Sequence, residues 1–489
     1  MTLSNCERVL CCLIWIGGVL YSIYNVFLIR KEFTYLEDTY NDFAEGWLPQ
    51  MPKKDVADFE WETVMKVFRT TAHYFIIHVV VSEYLRSYYI QLVPYWQSLI
   101  SIIFLLQTVG LFGLLSILLQ SVTFNYISLG KRKLVPWMTT GLWMTVVIYL
   151  KSAHCAEYLA KYFHFTEVQG YIVMLSLCWS NLRCLSYCLD DVQEKYKFVH
   201  FLSYCLYLPT LFIGPFIQFK DFNENFFGHQ STCLRERFWQ LVVDLSRCIF
   251  WIFITEMSLH YFYINALAYQ PEILQRMSNW ALYGYGYCMG QFFHLKYVVF
   301  YGLSTSIAKF DHMKTPPLPK CIGRIHLYSD MWKYFDAGLY KFLVTYIYLP
   351  TLRTSQLYNK IFSSLLSFGF VYIWHGIEYN ILIWTVINYI GICLENICNE
   401  LVKLAPEVLN SSWRRRGLCI LCSPLLAASA VSNFYFFAGS DVGNIFTHRI
   451  FQSSLMGNAA LIFFLYGCCQ LSLEVKHCEQ NVYAKKKIS

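Results

Sequence analysis

Residues 87–130 read SYYIQLVPYWQSLISIIFLLQTVGLFGLLSILLQSVTFNYISLG, 44 residues without one charged side chain, bounded by Arg86 and Lys131. As a single helix they would extend about 66 Å at ~1.5 Å per residue. A bilayer core is only ~30 Å thick, so the stretch predicts two crossings with a reversal between them. Further apolar runs lie near 9–28, 66–84, 134–150, 170–188, 241–266, 280–306, 359–375, 378–394, 417–437 and 451–473. The first is too long for a signal-peptide core and has no small-residue cleavage site, so it reads as a spanning helix. The pattern predicts an all-α, polytopic integral membrane protein of about ten transmembrane helices, up to twelve, with some segments re-entrant. No internal repeat or low-complexity linker divides it, and 1–489 reads as one membrane domain.

Composition agrees. Of 489 residues, 56% are hydrophobic, 19% aromatic and only 15% charged. Soluble domains hold about a quarter charged residues, so a disordered chain, a fibrous protein and an ordinary cytosolic enzyme are excluded. The net charge of +7 is scattered, with no basic stripe to suggest nucleic acid. The 19 cysteines lie largely inside apolar runs, where a thiol behaves as a small hydrophobe. No disulfide framework is expected, and Cys419 to Cys422, the one C-x-x-C, reads as core rather than a redox or zinc motif.

Loop charges orient the array. Residues 29–62 carry four basic residues (Arg30, Lys31, Lys53, Lys54) against nine acidic ones, whereas basic clusters fall at Lys131 to Lys133, Arg414 to Arg416 and Lys485 to Lys487. The positive-inside rule puts those three clusters, and both termini, in the cytosol. Residues 29–62 and 438–450 are then lumenal loops. The chain ends Lys486-Lys487-Ile488-Ser489. That tail reads either as a dilysine retrieval signal for the endoplasmic reticulum or as an interfacial anchor of the last helix.

Two stretches break the apolar pattern. Tyr207, Pro209, Gly214 and Pro215 interrupt 199–222; Asp330, Lys333, Asp336 and Lys341 interrupt 327–350. Irregular backbone at membrane depth persists only inside protein or along a cavity. Polar residues in apolar segments are functional candidates because each is costly in hydrocarbon. Trp374-His375-Gly376 closes one apolar run; His375 reads either as a helix–helix hydrogen bonder or as a proton-transfer group. Asp336, in Trp332-Lys333-Tyr334-Phe335-Asp336, either pairs with Lys333 at i, i+3 or forms an acid–base constellation with His375. Asp244, Arg247, Glu256 and His260 share one helix and can satisfy one another. Cys321, between Lys320 and Arg324, is a thiol beside cations, suited to ligate metal or haem or to accept a lipid; it also reads as a plain juxtamembrane cysteine.

These motifs together resemble the membrane-bound O-acyltransferase superfamily. Trp374-His375-Gly376 follows a long apolar run, with Trp332 to Asp336 about forty residues before it. Lys320 through Met331 narrows the resemblance to the Hedgehog acyltransferase branch, in its insect form. Support extends along most of the chain. Lys53-Lys54-Asp55 with Asp58 to Trp61 resembles the branch's first lumenal loop, and Pro209, Gly214-Pro215, Phe219 and Phe222 its Gly-Pro re-entrant motif. Arg247, Glu256 and His260 fall at similar spacing, and Ser432-Asn433 with Gly439 to Gly443 resembles its last lumenal loop. Asp336 is the branch's choice where many O-acylating relatives place Asn, and His375 is the residue that a similar inactive paralogue lacks.

The resemblance implies a palmitoyltransferase of the endoplasmic reticulum membrane or the Golgi. It would move palmitate from cytosolic palmitoyl-CoA to the amino-terminal Cys of a Hedgehog-family ligand in the lumen. His375 and Asp336 would be catalytic, and Trp332, Lys333, Trp374 and Asn433 substrate-binding. Cys321 would ligate the iron of a structural haem b, with no other metal. From the residues alone two further classes remain open, a polytopic transporter and a non-catalytic acyl-CoA-binding scaffold.

Overall fold

The computed structural model describes residues 4–29, 42–130, 132–190, 198–227, 233–404 and 412–488. Its main helices are α1 (Asn5–Ile29), α2 (Phe59–Tyr88), α3 (Val93–Ser128), α4 (Leu134–Leu150), α5 (Glu167–Leu189), α6 (Leu234–Tyr261), α7 (Asn279–Phe310), α8 (Tyr328–Phe335), α9 (Ala337–Leu343), α10 (Leu357–His375), α11 (Tyr379–Leu404), α12 (Ser412–Gln452) and α13 (Leu455–Ile488). Among the described residues, eight helices are long and apolar enough to cross a membrane: α1, α2, α3, α5, α6, α11, α12 and α13. The protein is a multi-pass, all-helical membrane protein. α4, α7 and α10, which the apolar pattern also picks out, are helices but shorter or more polar.

The 44-residue uncharged stretch does fold back on itself. α3 is broken at Gly110, whose φ of 72° is a left-handed conformation that glycine adopts without steric penalty. Before the break α3 runs against α2, with Trp96 donating to the His78 carbonyl and Tyr74 bonded to Gln107. After it α3 runs along α5, with Gln120 donating to the Leu177 carbonyl and the Cys188 thiol to that of Phe124. Phe59 at the start of α2 meets Tyr171 near the start of α5, 5.3 Å between ring centroids. So α2 and α5 run the same way, and the two halves of α3 run oppositely. Each half is about 26 Å long.

The expected loop 438–450 departs from the sequence reading. α12 continues as helix to Gln452, broken only at Gly439. Arg449 holds this last part in place by donating to the Met277 and Gln275 carbonyls and to Asn279. Such tertiary anchoring is invisible to hydropathy. Of the charged residues used to orient the chain, Arg30, Lys31, Glu32, Glu37, Asp38 and Lys131 lie outside the described residues.

The interrupted stretch 199–222 is buried inside protein. A short helix (Phe198–Cys205) and one 3-10 turn (Leu208–Thr210) lead into irregular backbone. Its carbonyls need donors there. The fully buried Arg183 guanidinium donates to the Cys205 carbonyl at 2.9 Å, and to both the carbonyl and the hydroxyl of Thr210. α7 stands at the centre, packed against α1, α2, α6 and α12. A two-stranded antiparallel pair, Phe43–Ala44 with Lys54–Asp55, folds over one end of the bundle. All 19 cysteines are free thiols.

Candidate active site

A cavity of about 360 Å³ lies among α2, α5, α7, α8, α9, α10, α11 and α12. Asp336, His375, Trp332, Trp374 and Asn433 all line it. The fold therefore brings together five of the residues that sequence reasoning singled out, from three separate segments.

Asp336 sits at the joint between α8 and α9, where it ends one helix and N-caps the next. One carboxylate oxygen accepts the Leu339 amide at 2.8 Å and the other the Tyr301 hydroxyl at 2.6 Å. Asp is among the best N-caps because its short side chain reaches an orphan amide of the first turn. The anticipated pairing with Lys333 is not made. Lys333 is exposed, 5.3 Å from the Tyr334 ring, and is not among the cavity-lining residues. The other charges of this stretch diverge as well, Asp330 to Lys476 (2.6 Å) and Lys341 to Asp221.

His375 is the last residue of α10. Gly376 follows with φ 134°, a conformation that few other residues tolerate, and turns the chain away. Lys151, just past α4, donates to the His375 carbonyl at 3.0 Å and so caps this helix end. A cation at a helix C-terminus is the favourable charge. The imidazole stands edge-on to three rings: Trp374 (4.8 Å), Trp384 (5.3 Å) and Phe436 (5.1 Å). These walls fix its plane, with no carboxylate partner among the described residues. The Trp374 indole N–H is buried and has no hydrogen-bond partner among the described residues.

A polar ladder joins α8, α11 and α12 behind these rings. The Trp332 indole donates to Asn388, Asn388 donates to Ser432, and the Trp384 indole donates to Asn433. Tyr301, Trp384, Asn388 and Phe436 belong to this site, yet sequence reasoning missed them. Each lies in an ordinary aromatic or apolar helix, and only the packing reveals its role. Trp332, one turn before Asp336, carries the ladder to the edge of the cavity.

At the end of the bundle covered by the two-stranded pair, the loop before α2 is pinned by charge. Asp55 is fully buried and accepts the amides of Ala57 (3.0 Å), Asn265 (2.7 Å) and Ala266 (3.0 Å). Burial pushes its carboxyl up to about 7, against the lowering effect of those three donors. The expected Glu256–His260 pair is not formed. Glu256 takes Lys54 (2.8 Å) and the Trp61 indole (2.9 Å), while His260 bonds the Pro52 carbonyl (2.9 Å). Both residues serve the loop, a contact that reading one helix in isolation cannot foresee. Asp244 does pair with Arg247, at 3.4 Å, and also with Lys309.

Cys321 lies apart from this cavity. Its thiol is half-buried and donates to Gln291 at 3.6 Å. The flanking cations anticipated to activate it, Lys320 and Arg324, are both paired with Glu479. Ile322, Gly323 and Arg324, next in sequence, together with Gln291, line a second and mostly apolar cavity of about 220 Å³.

Residues 116–419 match the model of the family described as MBOAT, membrane-bound O-acyltransferase. Along nearly its whole length the chain is similar to the protein-cysteine N-palmitoyltransferase Rasp of Drosophila melanogaster, 29% identical over 96% of this chain and 95% of that protein. It is also 26% identical to the mouse protein-cysteine N-palmitoyltransferase HHAT, over 95% of this chain and 97% of that one. A mouse HHAT-like protein is 24% identical over 77% and 76%.

Proposed function

Because the chain belongs to the membrane-bound O-acyltransferase family, we propose that it is a protein-cysteine N-palmitoyltransferase. It takes palmitoyl-CoA from the cytosol and acylates the amino-terminal Cys amine of a Hedgehog-type secreted ligand from the lumen of the endoplasmic reticulum. The observation that carries this reading is the joint presence of Asp336 and His375 on one cavity. The full-length similarity to Rasp and HHAT supplies the substrate pair.

The chemistry asked of the site is modest. An α-amine has a pKa of about 7.7–8.0, so of order a tenth is already neutral near pH 7. That nitrogen attacks the thioester carbon, the C–S bond breaks, and an amide and a free CoA thiol form. His375 accepts the proton that the nitrogen loses and returns it to the departing sulfur. Asp336, fixed by Tyr301 and Leu339, orients the amine and balances the charge on it. Starting from the ammonium form, one further proton leaves the site for each turnover. Trp332, Trp374 and Asn433 shape the acyl-CoA side of the cavity.

The test is peptide-dependent thiol release. Purified protein with palmitoyl-CoA and a peptide beginning with Cys should liberate one CoA thiol per peptide acylated. Binding of palmitoyl-CoA without peptide-dependent release would instead identify a scaffold, and flux without release a transporter.

A haem b at Cys321 is carried over from the resemblance. The surroundings are compatible with it, a half-buried thiol beside a mostly apolar cavity. Cys321 would hold the iron through its thiolate, giving up the bond to Gln291, and Fe–thiolate ligation is established haem chemistry. The group would be structural and takes no part in acyl transfer. Purified protein should show a Soret band that Cys321→Ala loses or shifts. Wild-type protein without a Soret band removes haem from the account and leaves Cys321 as a candidate for S-acylation.

A further inference from the structure

The cavity that holds Asp336 and His375 has a second carboxylate in its wall, one helical turn away along the same face of α7. Glu60, in the first turn of α2, lines it. One Glu60 oxygen lies 2.9 Å from the ammonium of Lys296, and the other accepts from Tyr297 over a long 3.4 Å. Lys296 is shared, since Asp58 lies 2.8 Å from the same nitrogen. Two carboxylates on one ammonium leave a net negative charge at the cavity wall. The nearby Lys54 does not neutralise it, being bound to Glu62 (2.5 Å) and Glu256 (2.8 Å). The cavity's lining lysine, Lys151, is tied to the His375 carbonyl.

Position along α7 sets the scale. Tyr297 touches Glu60, and Tyr301, one turn later, touches Asp336. Four residues of helix rise about 6 Å, close to the length of one or two extended residues. A cation held at Glu60 is therefore one short step from Asp336. The Glu60 carboxylate is immobilised, as that of Asp336 is. Lys296 and Tyr297 hold it in place, so it offers a fixed charge to an incoming group rather than a mobile one.

We propose that Glu60 receives the α-ammonium group of the acceptor peptide, with Lys296 as its positioning partner, and selects acceptors with a free amino terminus. The proposal rests on the reading of the protein as an N-acyltransferase. Glu60 thus sets the affinity for the charged amine, and Asp336 and His375 act on it after it moves one turn deeper and loses a proton.

The test uses purified full-length protein, palmitoyl-CoA, a peptide beginning with unmodified Cys, and the same peptide N-acetylated as a competitor. Wild type should bind the free-amine peptide at least about tenfold more tightly than the acetylated one, as KM against Ki. In Glu60→Gln the KM for the free-amine peptide should rise about tenfold, with the acetyl-peptide Ki and the palmitoyl-CoA KM within twofold of wild type. Glu60→Asp, which keeps the charge, should recover part of the preference. A Glu60→Gln enzyme with an unchanged peptide KM, or one that loses both peptides equally, overturns the proposal. If Glu60→Gln does not fold, wild type still decides, because equal binding of both peptides overturns it too. A wild-type protein that makes no product removes the acyltransferase reading and this one with it, whereas normal turnover with an indifferent Glu60 removes this one alone.

Discussion

Changing His375 to Ala should lower acyl transfer at least about a hundredfold, the lower end of what a positioned proton-transfer group contributes. It should do so without unfolding the protein. The helix end that His375 occupies is held by main-chain features: the Lys151 bond is to its carbonyl and the turn belongs to Gly376. Neither depends on the imidazole. The ring meets Trp374, Trp384 and Phe436 only by its faces and edges, so truncation leaves a void beside an existing cavity rather than a broken network. Peptide-dependent CoA release, measured on protein matched for monodispersity and thermal midpoint, reads the effect. A well-folded His375→Ala enzyme with wild-type turnover removes His375 from catalysis and returns it to helix–helix packing.

Asp336→Asn separates charge from geometry. Asn is as good an N-cap as Asp, and its amide oxygen can still accept the Leu339 amide, so the joint between α8 and α9 survives. What vanishes is the negative charge proposed to balance the amine, and with it the charged acceptor of the Tyr301 hydroxyl. A loss of about a hundredfold in kcat with little change in thermal stability is the expected result. Asp336→Ala should lose as much activity and also about 1 kcal/mol of stability, the usual worth of a cap. Asn with an unchanged rate would leave Asp336 as a cap alone, with no part in the chemistry.

The residues differ in how openly the sequence declares them. The class was legible because charge is costly in hydrocarbon, and the fold-back of 87–130 because 44 uncharged residues are too long for one crossing; the number was not, since eight helices among the described residues, rather than ten to twelve, are long and apolar enough to cross. Even the reversal at Gly110 followed from length. His375 stood out as a lone polar group closing an apolar run, and Asp336 as one of four charges interrupting an aromatic-rich stretch. Their shared cavity did not, since it depends on α7 placing Tyr301 against a residue 35 positions later. Tyr301, Trp384 and Asn388 were illegible for the same reason: an aromatic or amide in a helix looks like packing until its partner is known. Glu256 and His260 misled in the other direction. At i, i+4 they look like a pair, but the loop carrying Pro52 and Lys54, with Trp61 in the first turn of α2, outcompetes that local choice. The helical course of 440–452 escaped because Arg449 is secured by the chain near Met277, far away in sequence.

The central claim is that the acyl group ends on nitrogen. The most direct measurement is tandem mass spectrometry of the product from purified protein, palmitoyl-CoA and a Cys-initiated peptide, before and after hydroxylamine, which cleaves thioesters and spares amides. The account predicts a single palmitoyl group on the first residue, resistant to hydroxylamine, and no product from the N-acetylated peptide. A palmitate removed by hydroxylamine, carried on an internal side chain, or transferred equally to the acetylated peptide contradicts it.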